Sequence, residues 1–201
     1  MLDGWVRRRI DPAIERLASL VARTGVSANA VTIAAFAVGL MAGAAIAFEY
    51  FLLGLLLIIV SRIGDGLDGA VARICGKTDF GGYLDIVLDF FFYGAIPLGF
   101  ALADPAANAV PAAILILSFY VNGASFLAFA ILAERRKLST MARGDKSIFF
   151  TTGLAEATET IAMFSAACLF PGWFPVLAYA FAALCFYTAL SRIVLARRQF
   201  G

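Results

Sequence analysis

The chain has 201 residues, 62% of them hydrophobic and only 15% charged, with no histidine and a formal net charge of +2; a soluble domain carries roughly 25% charged residues. A mean hydropathy of +0.90 excludes disorder and a globular cytosolic enzyme, because a soluble core cannot hide so much apolar surface. The missing histidine excludes Ser-His-Asp, Cys-His and His-ligated zinc mechanisms, leaving proton chemistry to carboxylates, lysine, tyrosine or water.

The first 29 residues read as an amphipathic juxtamembrane segment. Asp11 and Pro12 have the form of a helix start, a cap followed by proline at the first helical position. Ile14, Leu17, Leu20 and Val21 then form a stripe at helical spacing, with Glu15, Arg16, Ser19 and Arg23 elsewhere around the helix. Such a helix is expected to lie in the cytoplasmic headgroup layer. It is not a signal peptide, since Asp11, Pro12 and Glu15 interrupt any apolar core behind Arg7, Arg8 and Arg9.

Residues 30–201 read as one six-helix transmembrane catalytic domain, at about 20 apolar residues per crossing. The expected spans run from Ala30 to Phe48, Phe51 to Ala72, Gly82 to Ala103, Val110 to Leu132, Phe149 to Phe170 and Pro175 to Leu195. The fold class is therefore an all-α integral membrane protein, with six transmembrane helices behind an interfacial one. All 16 Lys and Arg residues lie before span one, at the end of span two and in the loop after it, between spans four and five, or near the C-terminus. None falls at Glu49-Tyr50, Asp104 to Ala109 or Pro171 to Phe174. The positive-inside rule then puts both termini and the two basic loops in the cytoplasm. The alanine-rich composition suits a bacterial inner membrane, and no nucleic-acid partner is expected. Cys75, Cys168 and Cys185 have no metal-knuckle or disulfide spacing and read as structural thiols.

Acidic residues inside two spans are the informative departure. Asp65 and Asp68 share a helix face at i, i+3, and Asp85 and Asp89 share one at i, i+4. Both pairs stand at the cytoplasmic ends of spans joined by a short loop, so four carboxylates converge just inside the membrane. Something cationic must neutralise them. An all-oxygen set points to a hard divalent ion, Mg²⁺ before Mn²⁺ or Ca²⁺. Gly64, Gly66, Gly69, Gly81 and Gly82 either leave the backbone open to a bulky ligand or serve helix packing.

The pattern Asp65-x-x-Asp68-Gly69-x-x-Ala72-Arg73, followed by Gly81-x-x-x-Asp85-x-x-x-Asp89, resembles the signature of the CDP-alcohol phosphotransferase family. All eight fixed positions match, with seven residues between Arg73 and Gly81 where the family has eight. The resemblance implies transfer of the phosphoalcohol part of a CDP-alcohol, usually CDP-diacylglycerol, to the hydroxyl of a small polar acceptor, releasing CMP. It implies a two-metal site in which Asp65, Asp68 and Asp85 hold the pyrophosphate through the ions. Asp89 resembles the residue that also contacts metal and takes the acceptor's proton. Asp65, Asp68, Gly69, Ala72 and Gly81 resemble the nucleotide-binding positions, with Arg73 nearby, and a homodimer in contact with membrane lipid is implied.

Candidate acceptor-binding residues are Arg143, Lys146 and Arg192, as a basic pocket, and Glu156 and Glu159, for an amine or hydroxyl-rich acceptor or as partners of those cations. The run Phe90-Phe91-Phe92-Tyr93 reads as lipid-facing or as a dimer contact, and Tyr120 and Asn122 as packing. A divalent-cation transporter with aspartates lining its path is the alternative from another class. It is disfavoured because a path needs polar groups through the whole bilayer.

Overall fold

The computed structural model describes residues 3–136 and 157–201, and these form seven α-helices with no strand among them. They are α1 (Asp3–Arg23), α2 (Ala28–Ala47), α3 (Phe51–Cys75), α4 (Asp79–Ala103), α5 (Pro105–Arg135), α6 (Ala157–Leu169) and α7 (Phe174–Phe200). Local chemistry sets the ends. Ser27, Thr78 and Asp104 accept from the amides of Ala30, Gly81 and Ala107, capping α2, α4 and α5. Gly76 ends α3 at φ 105, a left-handed value that favours glycine, and its amide closes on the Ala72 carbonyl.

Among the described residues, four stretches are long and apolar enough to cross a membrane: α2, α4, α5 and Pro171–Phe200. α3 has the length, at 25 residues, but its first 18 already include Arg62, Asp65 and Asp68. The site's own charges are what lower its hydropathy. The described part of α6 has 13 residues. Of six expected spans, four thus meet a spanning criterion outright.

α2 packs on both α3 and α4, α4 on α5, α5 on α7, and α1 and α6 on α3. Small residues make the first of these contacts close. Ser61 Oγ on α3 donates to the Ala35 carbonyl of α2 at 2.8 Å. A Cβ placed on Gly99 of α4 would lie 2.5 Å from the Gly43 carbonyl oxygen of α2. Backbone approaches of this kind replace the hydrophobic drive that lipid does not supply. Gly99→Ala is therefore expected to lower stability by about 1–3 kcal/mol, read as a lower melting temperature in detergent. Gly94→Ala, where a Cβ meets nothing within 4 Å, is expected to leave it unchanged. Away from this contact the core is aromatic, with Phe92, Phe100, Phe164 and Phe174 fully buried and the Phe100 and Phe174 rings stacked at 4.3 Å.

Several expectations change. α1 begins at Asp3 with Pro12 inside it, so Asp11-Pro12 does not start a helix. An interior proline costs about 3 kcal/mol, and burial offsets it: Ala18 is wholly enclosed with Ala70 and Val71 of α3, and Ile14 and Val21 pack beside them. The apolar stripe of α1 is accordingly divided. Ile14 and Val21 face α3, while Leu17 and Leu20 remain exposed. The aromatic run of α4 divides likewise, because four consecutive residues cover every side of a helix: Phe90 and Phe91 are exposed and Phe92 is wholly buried. Asn122 is no mere packing residue, as shown below.

Candidate functional site

The short link between α3 and α4 lays the two acidic faces side by side. Asp65, Asp68 and Asp85 each offer a carboxylate oxygen, all within 4.8 Å of one another. Asp68 is buried, and its Oδ2 has no hydrogen-bond partner among the described residues. At this separation each pair of like charges repels by roughly 3–4 kcal/mol at an effective dielectric of about 20. A buried carboxylate oxygen without a donor, in an all-oxygen cluster, is the arrangement a hard divalent cation satisfies. The residues present fit such an ion.

Asp89, expected as a fourth member, borders this group of three through a shared arginine. Its Oδ1 accepts from Arg62 Nη1 at 2.5 Å, and the same nitrogen lies 3.5 Å from Asp65 Oδ1. The guanidinium rests on Phe92, 3.9 Å above the ring centroid, and Nη2 donates to Ser61 Oγ at 3.3 Å. Arg62 lies about 9 Å along α3 from Asp68, so the Arg62–Asp89 pair forms the floor of the site, toward the apolar first half of α3. An arginine at a helix centre costs roughly 2.5–3.5 kcal/mol to insert, which the two carboxylates and the ring face offset. In the sequence, Arg62 counts only among the basic residues that set orientation. The available signal was a cation one turn before Asp65, inside an apolar helix, where an ionisable residue is a functional candidate by default.

The glycines separate into two kinds. A Cβ on Gly64 would meet Ala35 Cβ at 2.7 Å, and one on Gly66 would meet Ile14 Cδ1 at 3.1 Å, so these two serve packing against α2 and α1. Gly69 has only Arg73 Nη1 at 3.9 Å, and Gly82 has nothing within 4 Å. Gly81 is close to Asn29 Oδ1 and Thr78 Oγ1, both 3.0 Å from its would-be Cβ. Ala72 is half-buried and Arg73 exposed on the last turns of α3. One open surface thus runs past Gly69 toward Arg73.

Of the five candidate acceptor residues, Glu159 and Arg192 lie among the described residues. Arg143, Lys146 and Glu156 lie outside the described residues. Glu159 is half-buried in the first turn of α6. Arg192 of α7 is half-buried against α5, its Nη1 donating to the Asn122 carbonyl at 2.9 Å, Asn122 Oδ1 at 3.1 Å and Ser125 Oγ at 2.6 Å. Tyr120 is exposed. Of the thiols, Cys168 and Cys185 are buried and Cys75 is exposed.

The sequence model of the family described as CDP-alcohol phosphatidyltransferase matches residues 25–195. The inner membrane protein YnjF of Escherichia coli is 41% identical over 96% of this chain and 94% of its own length. The archaetidylinositol phosphate synthase of Pyrococcus horikoshii is 31% identical over 58% of this chain and 63% of its own. Among solved structures, the fold is shared with the phosphatidylinositol phosphate synthase of Mycobacterium tuberculosis. Its complex with manganese and citrate has a TM-score of 0.65 at 21% identity, covering 90% of this chain and 87% of that one. Its CDP-DAG-bound form has a TM-score of 0.63 at 21% identity, covering 90% and 91%.

Proposed function

The chain belongs to the CDP-alcohol phosphatidyltransferase family and is a CDP-alcohol phosphotransferase of the membrane, and we propose that it moves a phosphatidyl group from CDP-diacylglycerol to the hydroxyl of a small polar acceptor, releasing CMP. The observation that carries this reading is the cluster of Asp65, Asp68 and Asp85 within 4.8 Å, with a buried oxygen left for a cation.

In this proposal those three aspartates, together with Asp89, would hold two divalent ions, Mg²⁺ ahead of Mn²⁺ or Ca²⁺. Bound there, the ions would neutralise the pyrophosphate and stabilise charge on the departing CMP. The protein's own groups do the rest by position. Gly69, Ala72, Arg73 and Gly81 border the nucleotide, which the open surface at Gly69 admits. Asp89 takes the acceptor's hydroxyl proton as the new oxygen–phosphorus bond forms and the bond to CMP breaks. Arg192, with Arg143, Lys146, Glu156 and Glu159, provides the acceptor end. The Pyrococcus and Mycobacterium proteins make inositol phosphate lipids by name, so inositol 1-phosphate heads the candidate acceptors.

The topology proposed with this activity has α2 to α7 as six spans of one catalytic domain, residues 30–201, with α1 interfacial within residues 1–29. Both termini and the site face the cytoplasm of a bacterial inner membrane, and the working unit is a homodimer. The fifth span would include residues before Ala157. No observation favours the cation transporter: beyond the Arg62–Asp89 floor, α3 from Phe51 to Val60 and α4 from Phe90 to Ala103 carry no charge.

The test is CMP release by purified protein in detergent with CDP-diacylglycerol and Mg²⁺. The acceptor panel holds inositol 1-phosphate, glycerol 3-phosphate, inositol, serine and choline. CMP formed with one acceptor and abolished by EDTA is expected. No CMP with any acceptor, from protein that binds no CDP-diacylglycerol, would overturn the proposal.

A further inference from the structure

We infer that the corner between α1 and α2 binds a membrane phospholipid with an anionic headgroup: one acyl chain lies in the apolar groove there, and Arg16 and Arg23 hold the phosphate. The inference rests on the proposed topology, in which α1 lies at the membrane surface, and not on the transfer reaction.

The groove follows from how α1 is seated. Leaving the link at Thr24 to Ser27, α1 leans on α3 and leaves a gap beside α2. That gap is an open groove of about 420 Å³. Leu20, Val21 and Thr24 of α1 form one wall, and Ala30, Val31 and Ala34 of α2 form the other. Ala30 and Ala34 are one helical turn apart, so their short side chains leave a channel running along the axis of α2. An acyl chain in the membrane runs the same way. Leu20, Val26, Ala30 and Ala34 are all exposed along it.

Charge selects the headgroup. Arg16 and Arg23 stand two turns apart on one edge of α1, with Leu20 between them at the mouth of the groove. Both are exposed, and neither forms an ion pair among the described residues. Glu15 stands about 140° round the helix from Leu20, away from the mouth. A guanidinium fork matches a phosphate, and basic side chains beside an interfacial helix favour anionic lipid. The donor has a different place, because Val71, buried with Ala18, stands about 160° round α3 from Gly69.

An occupant of this groove also bears on the site. The buried part of the α1 seat is small, Ala18 with Ala70 and Val71, and is separate from the main core. On the same side, Ile14 abuts Gly66, which lies between Asp65 and Asp68. A lipid wedged against α2 supports α1 from its other flank and so steadies the helix that carries the aspartates.

The experiment titrates the full chain in detergent with dioleoyl phosphatidylglycerol or dioleoyl phosphatidylcholine and follows the melting temperature. Wild type is expected to show a saturable rise, reached at about tenfold lower concentration with phosphatidylglycerol. Arg16→Gln with Arg23→Gln is expected to remove that preference. Arg197→Gln with Arg198→Gln, the same loss of charge elsewhere, is expected to keep it. Ala34→Phe, which fills the groove from an exposed position, is expected to abolish saturation by either lipid. Equal responses of wild type to the two lipids, or none to either, overturn the inference whatever the variants do. So does a preference that survives loss of Arg16 and Arg23, or one that disappears with Arg197 and Arg198. A several-fold higher KM for CDP-diacylglycerol in Ala34→Phe overturns it too, since the groove would then seat the donor's tail. Failure of the transfer reading leaves the lipid titration unchanged, so the two fail separately.

Discussion

Asp89→Asn is expected to reduce CMP release by about 10²- to 10⁴-fold, the range a general base contributes, while leaving CDP-diacylglycerol binding largely intact. The separation follows from where Asp89 stands. It lies outside the group of three carboxylates that suits a cation, and its hydrogen bond is to Arg62. Asparagine has the same shape, and its amide oxygen still accepts from Nη1, so the floor of the site retains its geometry. What disappears is the group able to take a proton. Losing one partner of a buried ion pair often costs about 3–5 kcal/mol, but Asp65 remains 3.5 Å from the same nitrogen and limits the loss. Turnover near wild type in this variant would remove Asp89 from the reaction, and a folded variant that no longer bound the donor would make it a binding group instead.

Asp68→Asn should behave in the opposite manner. The aspartate is 5% exposed and presents a buried oxygen with no hydrogen-bond partner among the described residues, so in the metal-free protein its charge is a liability. Replacing it with a neutral amide relieves repulsion from Asp85 and Asp65. Melting in EDTA is accordingly expected at a higher temperature than wild type. Metal binding should fall at least tenfold, the lower end of what disturbing the surroundings of a bound ion costs. For wild type, Mn²⁺ at about 100 times its dissociation constant adds about 2.7 kcal/mol of stability. The variant is expected to lose most of that increment and the Mg²⁺ dependence of CMP release with it. A Mn²⁺-induced melting shift equal to that of wild type would exclude Asp68 from the ligand set.

The sequence conveyed the parts of this protein governed by short spacing. Asp65 with Asp68, and Asp85 with Asp89, needed only the helical repeat and a short loop to be placed on facing sides. Ser27, Thr78, Gly76 and Asp104-Pro105 mark helix ends by chemistry that acts within a few residues. What escaped depends on contacts between helices. Arg62 meets a partner 27 residues away; its place one turn before Asp65 marks it as a candidate, but its seat on Phe92 is supplied by α4. Phe92 looks like Phe90 and Phe91 until the packing of α2 and α6 decides which of them is enclosed. Pro12 resembled a start because its local preference is strong, yet burial of Ala18 against α3 carried the helix through it. Asn122 had no charged neighbour in sequence and acquired Arg192 only across 70 residues.

In the proposed six-span topology, the placement of opposite charges on successive helices also bears on how the newly made chain enters lipid. α3 emerges first, with Arg62, Asp65 and Asp68 in an otherwise oily run, and the carboxylate that best cancels Arg62 is not yet synthesised. Delivered alone, the helix would carry a cation that costs roughly 2.5–3.5 kcal/mol near the bilayer centre, with only Asp65, 3.5 Å away on the same helix, as its counter-charge. Delivered with α4, from which only Gly76, Lys77 and Thr78 separate it, it arrives already neutralised at that point. Partition as a preformed hairpin is therefore cheaper than passage one helix at a time. The contact that orders the floor of the site also eases its entry into the membrane.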